Sequence, residues 1–214
     1  SRLNYNKTLK TIDNIDKTDK YPISLTLNNN YFGELYLKKE NIHILDDDFQ
    51  ITEIDRIISI ISKIINGKLV VDDFQGVVYE KEGHEINIDN VALGIKGFGL
   101  IQLLLKNHQL NSRTLLIIDE PEIHLHPNWQ VLYAEILVLI SKKLEIPILL
   151  TSHSPYFIEA LKVFSEKYEY EEKTNFYFSQ KSKDNLTAKI IDVSNDISPI
   201  LMSISEAYFK ISDI

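Results

Sequence analysis

The chain has 214 residues, of which 44% are hydrophobic and 25% charged, the composition of an ordinary globular protein with one large domain or one domain plus an appendage. It contains no cysteine, which excludes a disulfide scaffold, a cysteine-ligated metal site and a thiol nucleophile. Its 23 Lys and Arg against 31 Asp and Glu give a formal net charge of −8, so the chain as a whole is not a basic surface for coating nucleic acid. No apolar run reaches the ~18 residues of a membrane span, and no secretory signal is visible at the N-terminus. We therefore expect a cytoplasmic protein without membrane contact.

The first part of the chain predicts a linker followed by a small region of strands and one helix. Residues 1–20 are polar and without periodicity, and we expect them to be a linker or the end of a lobe encoded upstream. Alternation in Ile23–Leu27 predicts a strand, with Leu35–Leu37 as its partner strand. Isoleucines at helical spacing over Ile54–Ile65 predict a helix that Gly67 ends.

Two turn signals lie around that helix. Asp46–Asp48 is expected to cap its N-terminus; a calcium loop would need the full twelve-residue pattern, which is missing from the sequence. Val77–Tyr79 and Ile86–Ile88 flank Lys81–Gly83 and predict a hairpin. Together, residues 21–89 are expected to form an insertion region.

From residue 90 onward, apolar strands alternate with helices. Thr114–Ile118 and Pro147–Thr151 are continuous apolar runs of strand length, typical of a parallel sheet covered on both faces. Helices are predicted over Ile95–Lys106, Pro127–Glu145 and Pro155–Lys167. The last residues predict strands over Asn175–Phe178 and Ala188–Val193 and a helix over Pro199–Ile211. The predicted fold is α/β, a mostly parallel sheet flanked by helices.

Polar residues follow both apolar strands. Asp119 and Glu120 end the first, at the edge of a parallel sheet where ligands bind. The aspartate can hold Mg²⁺, which prefers oxygen ligands, and the glutamate can orient or deprotonate an attacking water. The second strand leads to His153, which can hydrogen-bond a terminal phosphate. A serine hydrolase is disfavoured because Ser152 and Ser154 are not in a Gly-x-Ser-x-Gly elbow.

The joint pattern LIIDEPEIHLHP, Trp129-Gln130 and LLTSHSPYFIEAL resembles the C-terminal part of an ABC-type ATPase head. Within that superfamily it is similar to the bacterial AAA-family ATPases related to RecF, to structural-maintenance-of-chromosomes heads and to overcoming-lysogenisation-defect proteins. The resemblance is most specific over residues 90–165 and extends more weakly through residues 166–214. It implies a P-loop NTPase-like core over 90–214 that binds ATP and Mg²⁺.

The resemblance also implies individual roles. Asp119 matches the Walker B aspartate that holds Mg²⁺, Glu120 the catalytic glutamate, and His153 the switch histidine at the γ-phosphate. Residues 122–126 match the D-loop, with His126 where many ABC proteins carry aspartate. Gly94, with Lys96 beside it, falls at the signature motif that opens a helix towards the nucleotide of the opposite subunit.

Two features depart from that pattern. The sequence contains no Gly-x-x-x-x-Gly-Lys-Ser/Thr motif, so no P-loop cradles phosphates, and Leu93 stands where the signature serine is usual. We expect the chain to lack an N-terminal P-loop lobe, since Ser1 is not methionine and the opening is linker-like. The alternative is a degenerate protein that uses an ABC-like surface only for assembly and does not hydrolyse ATP.

The predicted function is therefore that of a half of an ATPase. The full-length protein would form a head-to-tail homodimer around two nucleotides and drive DNA maintenance or anti-phage defence through DNA or an effector nuclease. Residues 1–214 alone are expected to be inactive. A third interpretation is a metal-dependent hydrolase that uses His124 and His126, on one face of a strand, with Glu122 and His153.

Overall fold

The computed structural model describes residues 23–27, 48–72, 76–182 and 186–212, with side chains described within 53–72, 76–182 and 186–206. The chain divides into two compact units, one of Ser1–His124 with Leu139–Thr151 and the other of Leu125–Val138 with Ser152–Ile214. Within the described ranges, no helix combines the length and the apolar character needed to cross a bilayer. The predicted linker over 1–20, the strand at 35–37 and the cap at Asp46–Asp47 lie outside the described residues.

The first unit contains a parallel three-stranded sheet. It is formed by β1 (Ile23–Leu27), β5 (Thr114–Asp119) and β6 (Ile148–Thr151), in the order β1-β5-β6. Both pairings of the central strand β5 are parallel. Along β5, Leu116 and Ile118 are buried and Asp119 is exposed, so the strand passes from the core to the surface at its carboxyl end.

An antiparallel sheet lies between β1 and β5 in the chain order of the same unit. Its strands are β2 (Lys68–Asp72), β3 (Gly76–Lys81) and β4 (His84–Asn87), in the order β2-β3-β4. Glu82 and Gly83 connect β3 to β4, with φ angles of 51° and 79°. Two residues with positive φ are the requirement of a type I′ turn, so the predicted hairpin is confirmed.

Two helices pack beside this hairpin sheet. They are α1 (Asp48–Ile65) and α2 (Leu93–Lys106), and a short 3₁₀ turn (Ile88–Asn90) precedes α2. The core between them includes Ile57, Ile61, Leu69, Phe98 and Ile101, all at most 2% exposed. α2 approaches β2 closely at Gly99, where an added Cβ would lie 2.5 Å from Leu69 Cγ.

The second unit contains the C-terminal elements. They are α4 (Pro155–Lys167), β7 (Tyr177–Lys181), β8 (Ala188–Asp192) and α5 (Ser198–Ser212), with a short 3₁₀ turn at Glu171–Lys173. β7 and β8 pair antiparallel. Ile158, Ile197 and Ile200 form a buried cluster in this unit. Helix α3 (Pro127–Leu144) begins in this unit, and its Tyr133 and Ile136 are buried.

The α/β prediction is confirmed, but the prediction of a mostly parallel sheet is too simple. Among the described residues there are three small sheets, and only the one made of β1, β5 and β6 is parallel. The other two are hairpin sheets whose strands are joined by short connections, and antiparallel pairing is the arrangement such connections allow.

Candidate active site

The end of β5 holds the first two predicted site residues. Asp119 is in register with Thr151, the last residue of β6, and the Thr151 hydroxyl donates a hydrogen bond to Asp119 Oδ1. Because the rest of β5 is anchored in the core by Leu116 and Ile118, this carboxylate is presented at a fixed point on the carboxyl edge of a parallel sheet, where ligands of such sheets bind.

Glu120 leaves the sheet in an unusual backbone conformation. Its φ is +47°, in the left-handed region that costs a non-glycine residue about 1–2 kcal/mol. Its N–H donates to both the carbonyl oxygen and the hydroxyl of Thr151, at 3.1 and 3.2 Å. The two neighbouring acidic residues therefore differ in backbone conformation: Asp119 is extended and Glu120 is left-handed. Thr151 contacts both of them. Strain of this kind is concentrated at functional sites.

The segment after Glu120 is a turn. Ile123 donates its N–H to the Glu120 carbonyl at 3.1 Å, Glu122 is buried at 6% exposure, and the exposed His124 has a φ of +66°. The metal-hydrolase interpretation would use His124 and His126 on one face of a strand, but residues 121–124 form a turn and 124–126 are not in a strand. Among the described residues, no group of three or more His, Asp or Glu side chains could hold a metal ion.

In the second unit, His126 caps helix α3. Its carbonyl accepts from the N–H groups of Trp129 and Gln130, at 2.7 and 3.0 Å, and its Nδ1 accepts from the N–H of Asn128 at 3.3 Å. A capping side chain must offer an acceptor to the first helical turn. His126 therefore accepts a hydrogen bond at the start of α3, as an aspartate at this position would.

In the loop that carries His153, two serine hydroxyls accept hydrogen bonds from backbone N–H groups. Ser152 Oγ accepts from the N–H of Ser154 at 3.1 Å, and Ser154 Oγ accepts from the N–H of Phe157 as the N-cap of α4. His153 itself is exposed. These bonds hold the backbone on both sides of His153.

Gln130, to which the sequence analysis assigned no role, contacts this loop. Its Oε1 accepts from Ser154 Oγ at 2.5 Å, and its Nε2 donates to the Leu125 carbonyl at 3.0 Å. The signal available in the sequence was a polar residue one turn into a largely apolar helix. Thr151 was likewise missed as a contact of both carboxylate residues, because strand register is not visible in a single sequence.

Helices α3 and α4 are also joined at the other end of α4. Glu135 accepts from Lys167 Nζ at 3.1 Å and from the Tyr168 hydroxyl at 2.5 Å. The hydrogen bond to Glu135 raises the pKa of Lys167, while the pKa of Tyr168 is raised by burial and then by its bond to Glu135. α4 is thus tied to α3 at both of its ends.

Gly94 and Lys96 lie in the first turn of α2. The helix begins at Leu93, and its cap residue, Ala92, makes no side-chain hydrogen bond to it. The first N–H groups of an α-helix have no partner within the helix. Gly94 is buried, and Leu93 is 41% exposed. The position of Gly94 at a helix start agrees with the sequence prediction.

The described residues form an α/β fold in which two acidic residues lie at the end of β5 and a serine-rich loop containing a histidine follows β6. The family model described as "AAA domain, putative AbiEii toxin, Type IV TA system" matches residues 8–159. The chain belongs to this AAA-domain family.

Among solved structures, the chain is similar to one reported under "Structural biochemistry of ATP-driven dimerization and DNA stimulated activation of SMC ATPases". The identity is 14%, the TM-score is 0.47, and the match covers 73% of this chain and 95% of that one.

Proposed function

We propose that this chain supplies the Walker B and switch-histidine half of an ATP-hydrolysing protein. The observation that carries the proposal is the pairing at the end of β5. Asp119 is held by the Thr151 hydroxyl, and Glu120 follows it in a left-handed conformation anchored to the same threonine. Membership of an AAA-domain family supports it.

The residues present fit the cofactors that such a reaction needs. A carboxylate has about four lone-pair sites, and the Thr151 hydroxyl uses one of those on Asp119. An exposed carboxylate with spare oxygen sites suits Mg²⁺, directly or through water. When bound with ATP, the ion would offset the negative charge of the phosphates.

The chain's own side chains would then share the work of hydrolysis. Glu120 would accept the proton of the attacking water, His153 would donate a hydrogen bond to the terminal phosphate, and Asp119 would hold the metal. Gly94 and Lys96 would face the nucleotide of the opposite subunit through the start of α2.

The assembly follows from the same assignment. Half-sites of this type are completed in a head-to-tail homodimer, with a P-loop lobe supplied by residues beyond this chain. In that arrangement, residues 1–20 would be a linker, 21–89 an insertion and 90–214 the ATPase core, and the first strand of the insertion, β1, would complete the core sheet beside β5. Closure on ATP and opening after hydrolysis would drive DNA maintenance or anti-phage defence through DNA or an effector nuclease.

The test is Glu120→Gln in the complete gene product. Loss of a general base lowers turnover by about 10²–10⁴-fold, and the amide keeps the shape of the side chain, so ATP binding should persist. Glu145→Gln is a matched control, because Glu145 is an exposed glutamate that shares a positive φ, of 53°, with Glu120. Equal turnover for the two variants would refute the catalytic assignment.

One observation favours a second candidate, an assembly module that does not hydrolyse ATP. Leu93, at the first position of α2, is 41% exposed and takes the place usual for a serine. A leucine offers no hydroxyl to a phosphate there. Absence of ATP binding by the complete gene product, with self-association retained, would support this candidate over the hydrolase.

A further inference from the structure

Gln130 connects two loops of the second unit that are separate in sequence. Its Nε2 donates to the carbonyl of Leu125, in the segment before α3, and its Oε1 accepts from Ser154 Oγ, in the segment that carries His153. Leu125 is buried at 8% exposure, and Gln130 and Ser154 are both half-buried. These bonds are therefore only partly exposed to competition from water.

The chemistry of the partners allows one arrangement of this network. A backbone carbonyl can only accept, so the NH₂ side of the Gln130 amide must face Leu125. Its oxygen then faces Ser154, whose hydroxyl must donate its single proton to Gln130. The remaining lone pairs of that hydroxyl accept from the Phe157 N–H, which caps α4.

The same network restrains the backbone beside His153. Ser154, the next residue, uses its hydroxyl on Gln130 and Phe157, and uses its N–H on Ser152 Oγ. A shift of the Leu125 carbonyl would therefore move Ser154 through the side-chain amide of Gln130, which is hydrogen-bonded to both residues. His126, the residue after Leu125, caps α3, so the Leu125–His126 segment is itself held to the helix that carries Gln130.

We propose that Gln130 is a positioning residue that couples the Leu125–His126 segment to the His153 loop, so that His153 is held in place for the nucleotide. The inference rests on the proposed function, since it requires His153 to act on ATP. Gln130 does not itself touch the reacting atoms. It acts through Ser154.

The test compares Gln130→Met and Gln130→Glu in the complete gene product. Methionine is similar in length and loses both bonds, whereas glutamate keeps an acceptor for Ser154 but sets a carboxylate oxygen against the Leu125 carbonyl. Both should lower kcat by about tenfold, the equivalent of about 1.4 kcal/mol, with KM for ATP unchanged. Gln180→Met, an exposed glutamine of β7, is the matched control and should keep wild-type kinetics.

A double-mutant cycle separates positioning from a general structural role. If Gln130 acts through His153, Gln130→Met should cause no further loss of kcat in a His153→Ala background. Multiplying losses would overturn the inference, as would wild-type kcat in either Gln130 variant. If one Gln130 variant fails to fold, the other still gives this comparison.

Failure of the proposed function gives a different result. Glu120→Gln is assayed in the same preparation. Loss of turnover in that variant with normal turnover in the Gln130 variants refutes the coupling alone. Normal turnover in Glu120→Gln refutes the proposed catalytic role first, and with it the coupling that depends on that role.

Discussion

Replacement of Gln102 by methionine is expected to destabilise the first unit by about 2–4 kcal/mol. Gln102 lies on α2 and is 1% exposed. Its Oε1 accepts from the Leu69 N–H at 3.0 Å, and its Nε2 donates to Ser62 Oγ at 2.7 Å. Leu69 belongs to β2, an edge strand of the hairpin sheet, so this amide covers an otherwise open edge.

The magnitude follows from what methionine leaves behind. Each neutral hydrogen bond is worth about 1 kcal/mol, and a buried donor without a partner costs about 1–3 kcal/mol more. The Leu69 N–H becomes such a donor, because Leu69 is 0% exposed. Ser62 keeps its bond to the Ile58 carbonyl at 2.9 Å, so its hydroxyl adds little to the loss. Methionine is close to glutamine in volume, which keeps any cavity small.

The assay is urea unfolding at equilibrium, with the free energy of unfolding taken at unchanged slope. The exposed substitution Gln180→Met should stay within about 0.5 kcal/mol of wild type. A loss below about 0.5 kcal/mol for Gln102→Met, at unchanged slope, would refute the claim that this amide protects the edge of β2.

Three further predictions concern other sites. Gly99→Ala should lower the free energy of unfolding by about 1–3 kcal/mol, because the new methyl group would lie 2.5 Å from Leu69 Cγ; an unchanged urea midpoint would contradict this close packing. Burial raises the pKa of Tyr133, so the unfolded state loses this proton first and the free energy of unfolding should fall as pH rises above about 10. Tyr133→Phe should reduce that fall, measured by urea unfolding at alkaline pH. A pH profile identical to that of the wild type would contradict the role of Tyr133 in this fall. Thr151→Val removes the hydroxyl that contacts Asp119 and Glu120. We expect it to lower kcat of the complete gene product by about tenfold while the urea midpoint changes little, and full activity would show that this hydroxyl is not needed to place the acids.

Local patterning was sufficient for most of the elements that carry the site. The strands predicted over 114–118 and 147–151 and the helices predicted over 127–145 and 155–167 have observed bounds that differ from these by at most one residue. Strand length, helix periodicity and N-capping each depend on residues a few positions apart, which is why a single sequence reveals them. The assignment of Asp119, Glu120 and His153 to catalytic roles remains a prediction.

Contacts between distant residues were decided by the tertiary structure. The pairing of β1 with β5 joins residues about ninety positions apart, and no local pattern specifies such a partner. The left-handed backbone of Glu120 arises where β5 ends against Thr151, and Gln130 acquires its partners only when two loops meet in the folded unit. The sequence determined which side chains lie at the ends of the strands, because strand length and helix capping depend on residues close together in the chain. The folded structure determined the neighbours of those side chains, because strand register and side-chain hydrogen bonds depend on which segments pack together.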